Sequence, residues 1–213
     1  MLFKDRKKAG ERLAEKLLKE GAFEKEQLKK TIVVSLLKGG IILGDIIAKK
    51  LNIDHLPLVV AKIPAPLNPE LALGALTFNT LYLDKKIISS FDKINLQNQI
   101  NQALSKLATY QKEFKIKESD FNQIKEKTII LVDDGIATSS TIQAAFLFLK
   151  KKRAKKIILA TPVAPADFNE KIFDKVFILH KDPFLSAISQ YYQDFSQVED
   201  DEVKNILNKK TSY

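Results

Sequence analysis

The sequence predicts an α/β domain with a central, mainly parallel sheet flanked by helices. Strand-like apolar runs alternate with stretches of helical periodicity, the mark of a sheet whose strands are joined by helical crossovers. The chain has 213 residues, which suits one domain, and 45% of them are hydrophobic, enough for a sizeable core. A third observation is a strand, acid pair, polar loop and helix in direct succession from Thr128 to Lys151.

The elements follow in order. Asp5 to Lys19 sets Ala9, Leu13, Leu17 and Leu18 at helical spacing and is bounded by Gly21. Glu24 to Lys29 reads as a short helical piece. The β-rich run Thr31 to Leu36 predicts a buried strand, a turn at Lys38-Gly39-Gly40 follows, and a helix runs from about Ile41 to Leu51. Leu56 to Ile63 reads as a second strand. Pro64, Pro66 and Pro69 then argue against regular helix or central strand as far as Gly74. A weaker strand pair is expected at 75–78 and 80–83. Ile94 to Phe114 carries Ile100, Leu104 and Leu107 at helical intervals, hence a long amphipathic helix. Thr128 to Val132 is the strongest strand signal, with a helix from Ser140 to Lys151 behind it. Strands at 157–163 and 175–180 enclose a predicted helix at 166–173, and residues 183–209 read as helix or loop. No repeat, low-complexity linker or composition shift divides the chain, so residues 1–213 are expected to form one domain.

Composition excludes several chemistries. With no cysteine there are no disulfides, thiolate nucleophiles or Cys-ligated metals, and two distant histidines make a His-rich metal site improbable. The N-terminus has charges but no apolar region behind them, and no run approaches the ~18–20 apolar residues that span a bilayer. A cytoplasmic protein without membrane contact is expected. The net charge of +9 suits nucleic acid or a small polyanion. Its densest cluster, Lys150 to Lys156, falls at a predicted helix C-terminus, where cations are favoured anyway, and has no interleaved aromatics. Nucleic acid is therefore a poor candidate partner.

The unit after the strongest strand carries the chemistry. In open parallel sheets ligands bind beyond the carboxyl ends of the strands, where Asp133 and Asp134 stand. Ala137, Thr138, Ser139, Ser140 and Thr141 offer backbone N–H groups and hydroxyls at a helix N-terminus, an anion site. Carboxylates accept hydrogen bonds from sugar hydroxyls or hold hydrated Mg²⁺. An ordinary turn and N-cap would use the same residue types. Leu37, Lys38, Gly39 and Gly40 form a second loop whose glycines allow close approach of an oxyanion. A Walker phosphate loop is ruled out, because Asp45-Ile46 stands where Lys and Ser/Thr would follow Gly44.

Two acids after a β-run, followed by small residues, Thr, a small pair and Thr, resemble the phosphoribosyl diphosphate (PRPP) signature of type I phosphoribosyltransferases across Ile129 to Thr141. Further blocks, Phe3 to Gly10, Leu37 to Gly40, Asn68 to Ala75, Pro162 to Pro165 and Tyr192 to Val198, resemble a bacterial branch with unassigned acceptors. The resemblance implies the type I phosphoribosyltransferase fold, with a small hood from the N-terminal segment and residues 183–213. It implies that Asp133 and Asp134 hold the ribose hydroxyls and, through water, Mg²⁺. It assigns Ala137 to Thr141 to the 5′-phosphate and Leu37 to Gly40 to pyrophosphate, in a loop that carries a non-proline cis peptide in related enzymes. Residues 64–74 lie where the family carries a mobile lid, a fixed surface loop being the alternative, and Lys62 just before them is a candidate pyrophosphate contact.

The implied activity is Mg²⁺-dependent transfer of phosphoribosyl from PRPP to an unidentified, nucleobase-like acceptor. The alternative is a non-catalytic PRPP- or nucleotide-binding regulator on the same fold. Two departures matter. Ala137 stands where some purine-salvage relatives have an acid/base Asp, which disfavours that mechanism. Ser139 replaces a usual Gly, whose close approach and unusual dihedrals it lacks; it either donates an extra hydroxyl or crowds the 5′-phosphate and impairs turnover. Tyr191, Tyr192 and Phe195 offer rings for an acceptor or for the core, and Arg6 with Asp5 either closes over the site or starts the first helix. A homodimer is a further expectation of the resemblance.

Overall fold

The computed structural model describes residues 2–20, 23, 25–66 and 68–208. Five strands form a parallel sheet in the order β2-β1-β6-β7-β8: β1 Thr31–Leu36, β2 Asp54–Leu58, β6 Thr128–Val132, β7 Lys156–Pro165 and β8 Lys175–Asp182. All six residues of β1 are buried, as expected of an apolar strand covered on both faces. Helices α1 Arg6–Glu20 and α3 Gly40–Leu51 pack on each other and on this sheet. Gly10 makes their close approach possible, since a Cβ there would sit 3.1 Å from Leu43 Cα. Asn52, in the left-handed conformation (φ 53°), ends α3.

The second sheet is a three-stranded antiparallel meander of β3 Ala61–Ala65, β4 Asn68–Thr77 and β5 Thr80–Leu83. Helix α6 Ser140–Lys151 packs against β4 and β5, and Phe78, Phe121 and Phe148 form an aromatic cluster there. The long α5 Lys93–Glu113 is capped by the Asp92 carboxylate, which accepts from Asn95 N–H, and lies on β3 and β4. Short helices α2 Lys25–Leu28 and α4 Lys85–Ile88 complete the middle of the chain, and α7 Asp200–Asn208 ends the described part.

Three expectations are corrected. The apolar run 56–63 belongs to two strands in different sheets, parting at Val59 and Val60; uniform hydrophobicity hides a change of sheet. Residues 64–74, expected to be irregular, are largely β3 and β4. The register shifts around Pro64 and β3 is an edge strand, the two settings in which a sheet tolerates proline. Residues 166–173 form no helix. Phe168 N–H bonds to Pro165 O and Phe173 N–H to Glu170 O, two single turns that bring both rings together beside Phe146. A helix would have splayed residues five apart to different faces. Gly21, Glu24 and Lys209, which bound predicted helices, lie outside the described residues, as do residues 210–213 of the expected hood.

Candidate active site

The chain steps from β1 outward to β2 in one direction, and from β6 to β7 and β8 in the other. Direction therefore reverses between β1 and β6, and the loops after these two strands diverge around a crevice. Those loops are Leu37 to Gly40 and Asp133 to Ser139. The two constellations singled out in the sequence are thus neighbours in space.

Their fit explains the glycines. A Cβ on Gly39 would overlap the Asp134 carboxylate, and one on Gly40 would lie 2.9 Å from Val132 O and 3.1 Å from Asp133 Cα. Gly39 has helical angles (φ −62°, ψ −42°), and no described glycine has positive φ, so these positions need space rather than unusual dihedrals. The Leu37–Lys38 peptide bond is cis.

The two acids sit in different surroundings. Asp133 Oδ1 accepts from Asp134 N–H at 2.9 Å. Burial first, and the neighbouring Asp134 charge second, push the Asp133 carboxyl well above the usual carboxylate range. Asp134 Oδ2 receives Arg6 Nε at 2.7 Å. Arg6 also donates from Nη1 to Ser196 O at 2.7 Å, and its guanidinium lies 3.8 Å from the Phe195 ring centroid. Tyr192 Oη donates to Asp134 O at 2.7 Å, and its ring packs between Phe3 and Phe195.

These contacts depend on pairing of the chain's two ends. Phe3 bridges Tyr192 in parallel, and Gln193 and Asp194 N–H groups donate to Phe3 and Lys4 carbonyls at 2.9 Å. Tyr191 and Tyr192 are buried, so core packing is their role. The Tyr191 hydroxyl donates to Asp182, a bond that pushes its phenol up to about 12.

In the polar loop, Ile136 N–H donates to Val163 O at 2.9 Å and fixes the chain against β7. Ala137 is exposed, Thr138, Ser139 and Thr141 are half-buried, and Ser140 is buried. Ser139 precedes α6 with φ −74° and ψ −8°, and its side chain does not cap the helix. The leading N–H groups of α6 thus have no cap from it, an arrangement suited to an anion.

Across the crevice, Lys38 Nζ pairs with Asp200 Oδ1 at 2.6 Å and lies 5.1 Å from the Tyr110 ring centroid. The bond to Asp200 raises the Lys38 pKa, and Lys38 in turn lowers that of Asp200. A cavity of about 480 Å³ opens here, lined among others by Arg6, Lys38, Lys62, Lys106, Tyr110 and Thr141. Lys62, expected as a contact just before the lid, lines the cavity from β3. A second hollow of about 610 Å³, beside Gln111, Lys115 and Asp120, includes none of the predicted site residues. Sequence reasoning missed Lys106, Tyr110 and Asp200. The i, i+4 spacing of Lys106 and Tyr110 places them on one helix face, but nothing local shows where that face points.

A parallel sheet with an acid pair and a polar loop at its switch point is the arrangement in which open α/β proteins bind their ligands. Residues 3–194 match the family model of the phosphoribosyl transferase domain, and the chain belongs to that family. Two Mycobacterium tuberculosis proteins named as candidate phosphoribosyl transferases are each 30% identical to it over 98% of this chain. The match covers 47% of each, so the chain spans about half the length of these relatives. The crystal structure of TT1426 from Thermus thermophilus is similar throughout, with a TM-score of 0.71, 29% identity and coverage of 98% of this chain and 99% of that one.

Proposed function

We propose that this protein transfers phosphoribosyl from PRPP to an unidentified, nucleobase-like acceptor and releases pyrophosphate. The observation that carries this reading is the meeting of Asp133 and Asp134 with the Leu37–Gly40 loop at the switch point. In this reading the acids hold the ribose hydroxyls. Ala137 to Thr141 cradle the 5′-phosphate at the start of α6, and Leu37 to Gly40 with Lys62 face pyrophosphate. The chain acts as one domain, in the cytoplasm and as a homodimer, with a hood built from the paired terminal segments.

The donor set suits Mg²⁺. Among the described residues no three His, Cys, Asp or Glu side chains form a cage. Mg²⁺ is commonly held by one or two carboxylates, waters and substrate phosphates, and Asp133 with Asp134 supply that share. When bound, the ion neutralises charge that builds on the departing pyrophosphate. The protein's own part is orientation and electrostatics. Leu37 to Gly40 direct backbone polar groups at the leaving group, Asp133 and Asp134 fix the sugar, and α6 fixes the 5′-phosphate. Ala137 carries no proton, so acceptor activation by a side chain at that position is absent.

A second reading, binding without turnover, is favoured by the Arg6–Asp134 ion pair, which already occupies one of the two carboxylates. Isothermal titration with PRPP and Mg²⁺, followed by a nucleobase panel with pyrophosphate detection, separates the two. Binding with release supports transfer, binding without release across the panel supports the regulator, and no binding at millimolar PRPP sinks both.

A further inference from the structure

Of the 21 residues of helix α5, Ala103 and Leu107 are buried and Leu96, Ile100 and Tyr110 pack half-buried against the core, with Phe114 just beyond its end. Hydrophobic packing accounts for one narrow stripe. Tyr110 belongs to the end of that stripe and Lys106, four residues before it, flanks it; both line the cavity beside the Leu37–Gly40 loop.

The charges around this cavity are unevenly matched. Its lining includes four cations, Arg6, Lys38, Lys62 and Lys106, and no carboxylate. Arg6 is paired with Asp134 and Lys38 with Asp200. Lys106 forms no ion pair among the described residues; its ammonium lies 5.9 Å from the Tyr110 ring centroid. Tyr110 carries Lys38 on the same ring, at 5.1 Å, so one aromatic holds two ammonium groups toward one space. Two like charges drawn to one ring gain most when an anion sits between them.

We propose that α5 forms the outer wall of the pyrophosphate subsite, with Lys106 as a direct ligand of the diphosphate and Tyr110 as the residue that positions Lys38 and Lys106 together. This rests on the phosphoribosyl-transfer reading above and adds to it a binding element from outside the parallel sheet. Because α5 lies on β3 and β4, which carry Lys62, helix and meander act as one unit over the leaving group.

The test uses the whole chain, with inorganic pyrophosphate and ribose 5-phosphate as separate probes in the presence of Mg²⁺. Lys106→Ala is expected to weaken pyrophosphate binding about tenfold, as for loss of one charge-assisted contact at an open site. Ribose 5-phosphate affinity should stay within about twofold, Lys106→Arg should restore most of the pyrophosphate affinity, and thermal stability should not move. A general loss of structure would weaken both probes, so the split between them isolates the contact. If the native protein binds both probes and Lys106→Ala binds pyrophosphate equally well, the inference is wrong and the functional reading stands. If the native protein binds neither probe, the functional reading fails and takes the inference with it.

Discussion

Asp134 and Arg6, 128 positions apart in the chain, meet at 2.7 Å, so the N-terminal segment supplies the counter-ion of one acid in the candidate site. The two side chains are 15% and 11% exposed, well below the exposure at which ion pairs contribute little. Arg6→Ala leaves two adjacent carboxylates without that cation, and it strips the Phe195 ring of its guanidinium cover. The expected cost is about 2–3 kcal/mol in urea unfolding. Arg6→Lys should recover less than half, because an ammonium cannot serve Asp134 and Ser196 in one planar fork. A cost below about 0.5 kcal/mol for Arg6→Ala would show that the pair does not hold the paired segments around Phe3 and Tyr192 to the sheet.

Asp133 gives the fold a pH dependence whose sign is fixed by its raised pKa. Between the unfolded value and the higher folded one, the folded state binds more protons, so stability falls as pH rises through that window. The destabilisation is absent below the unfolded pKa and complete above the folded one. Asp133→Asn keeps an oxygen to accept Asp134 N–H and removes the buried charge. Its melting temperature at neutral pH should therefore exceed that of the native protein, and the gap should close in acid. In the proposed reading Asp133 binds Mg²⁺ and PRPP as the ionised carboxylate, so native binding should strengthen with pH and release protons. A neutral-pH melting temperature for Asp133→Asn at or below the native one contradicts this account.

Gly39 tests the closeness of the two loops. Its dihedrals suit any residue, so Gly39→Ala carries no backbone strain, and its whole effect comes from displacing the Asp134 carboxylate. PRPP affinity should fall by about tenfold or more, while unfolding changes by only about 1–2 kcal/mol. A double variant of Gly39→Ala and Arg6→Ala whose losses fall short of the sum of the single ones would place both effects on Asp134.

Much of this site was legible because its pieces are local. Thr128 to Thr141 states a strand, an acid pair and a helix start in successive residues, and Leu37 to Gly40 does the same after β1. What the sequence could not show depends on pairs distant along the chain. Arg6 has no local reason to meet Asp134, and Asp200 none to meet Lys38; both depend on how the ends return over the sheet. The prolines at 64–69 misled for a different reason. Their prohibition holds for the interior of central strands, and only the tertiary arrangement reveals that Pro64 lies on an edge at a register shift and that Pro69 stands at the start of β4.

Asp200 holds the ammonium of Lys38 in the Leu37–Gly40 loop, so in the proposed reading a diphosphate entering there competes with a resident carboxylate. Asp200→Asn removes that competitor and leaves Lys38 over Tyr110. Pyrophosphate affinity should rise by about twofold to fivefold, most clearly at low ionic strength, where the competing charge is least screened. A fall in affinity would mean instead that Asp200 orients Lys38 for its ligand.

Ser139 is the position where composition and geometry give different expectations. Its replacement of a usual glycine suggested impaired turnover, on the ground that glycine permits unusual dihedrals and close approach. Its φ of −74° and ψ of −8° are open to every residue, so the dihedral half of that ground is absent. What remains, in the proposed reading, is the room that one hydroxymethyl group takes beside the 5′-phosphate. Ser139→Gly removes the group, loosens the start of α6 slightly, and leaves the N–H groups of Ser140 and Thr141 in place. PRPP affinity should then change by no more than about threefold, below 0.7 kcal/mol by the usual conversion. A tenfold gain in affinity or turnover in the glycine variant would show that Ser139 crowds the phosphate after all.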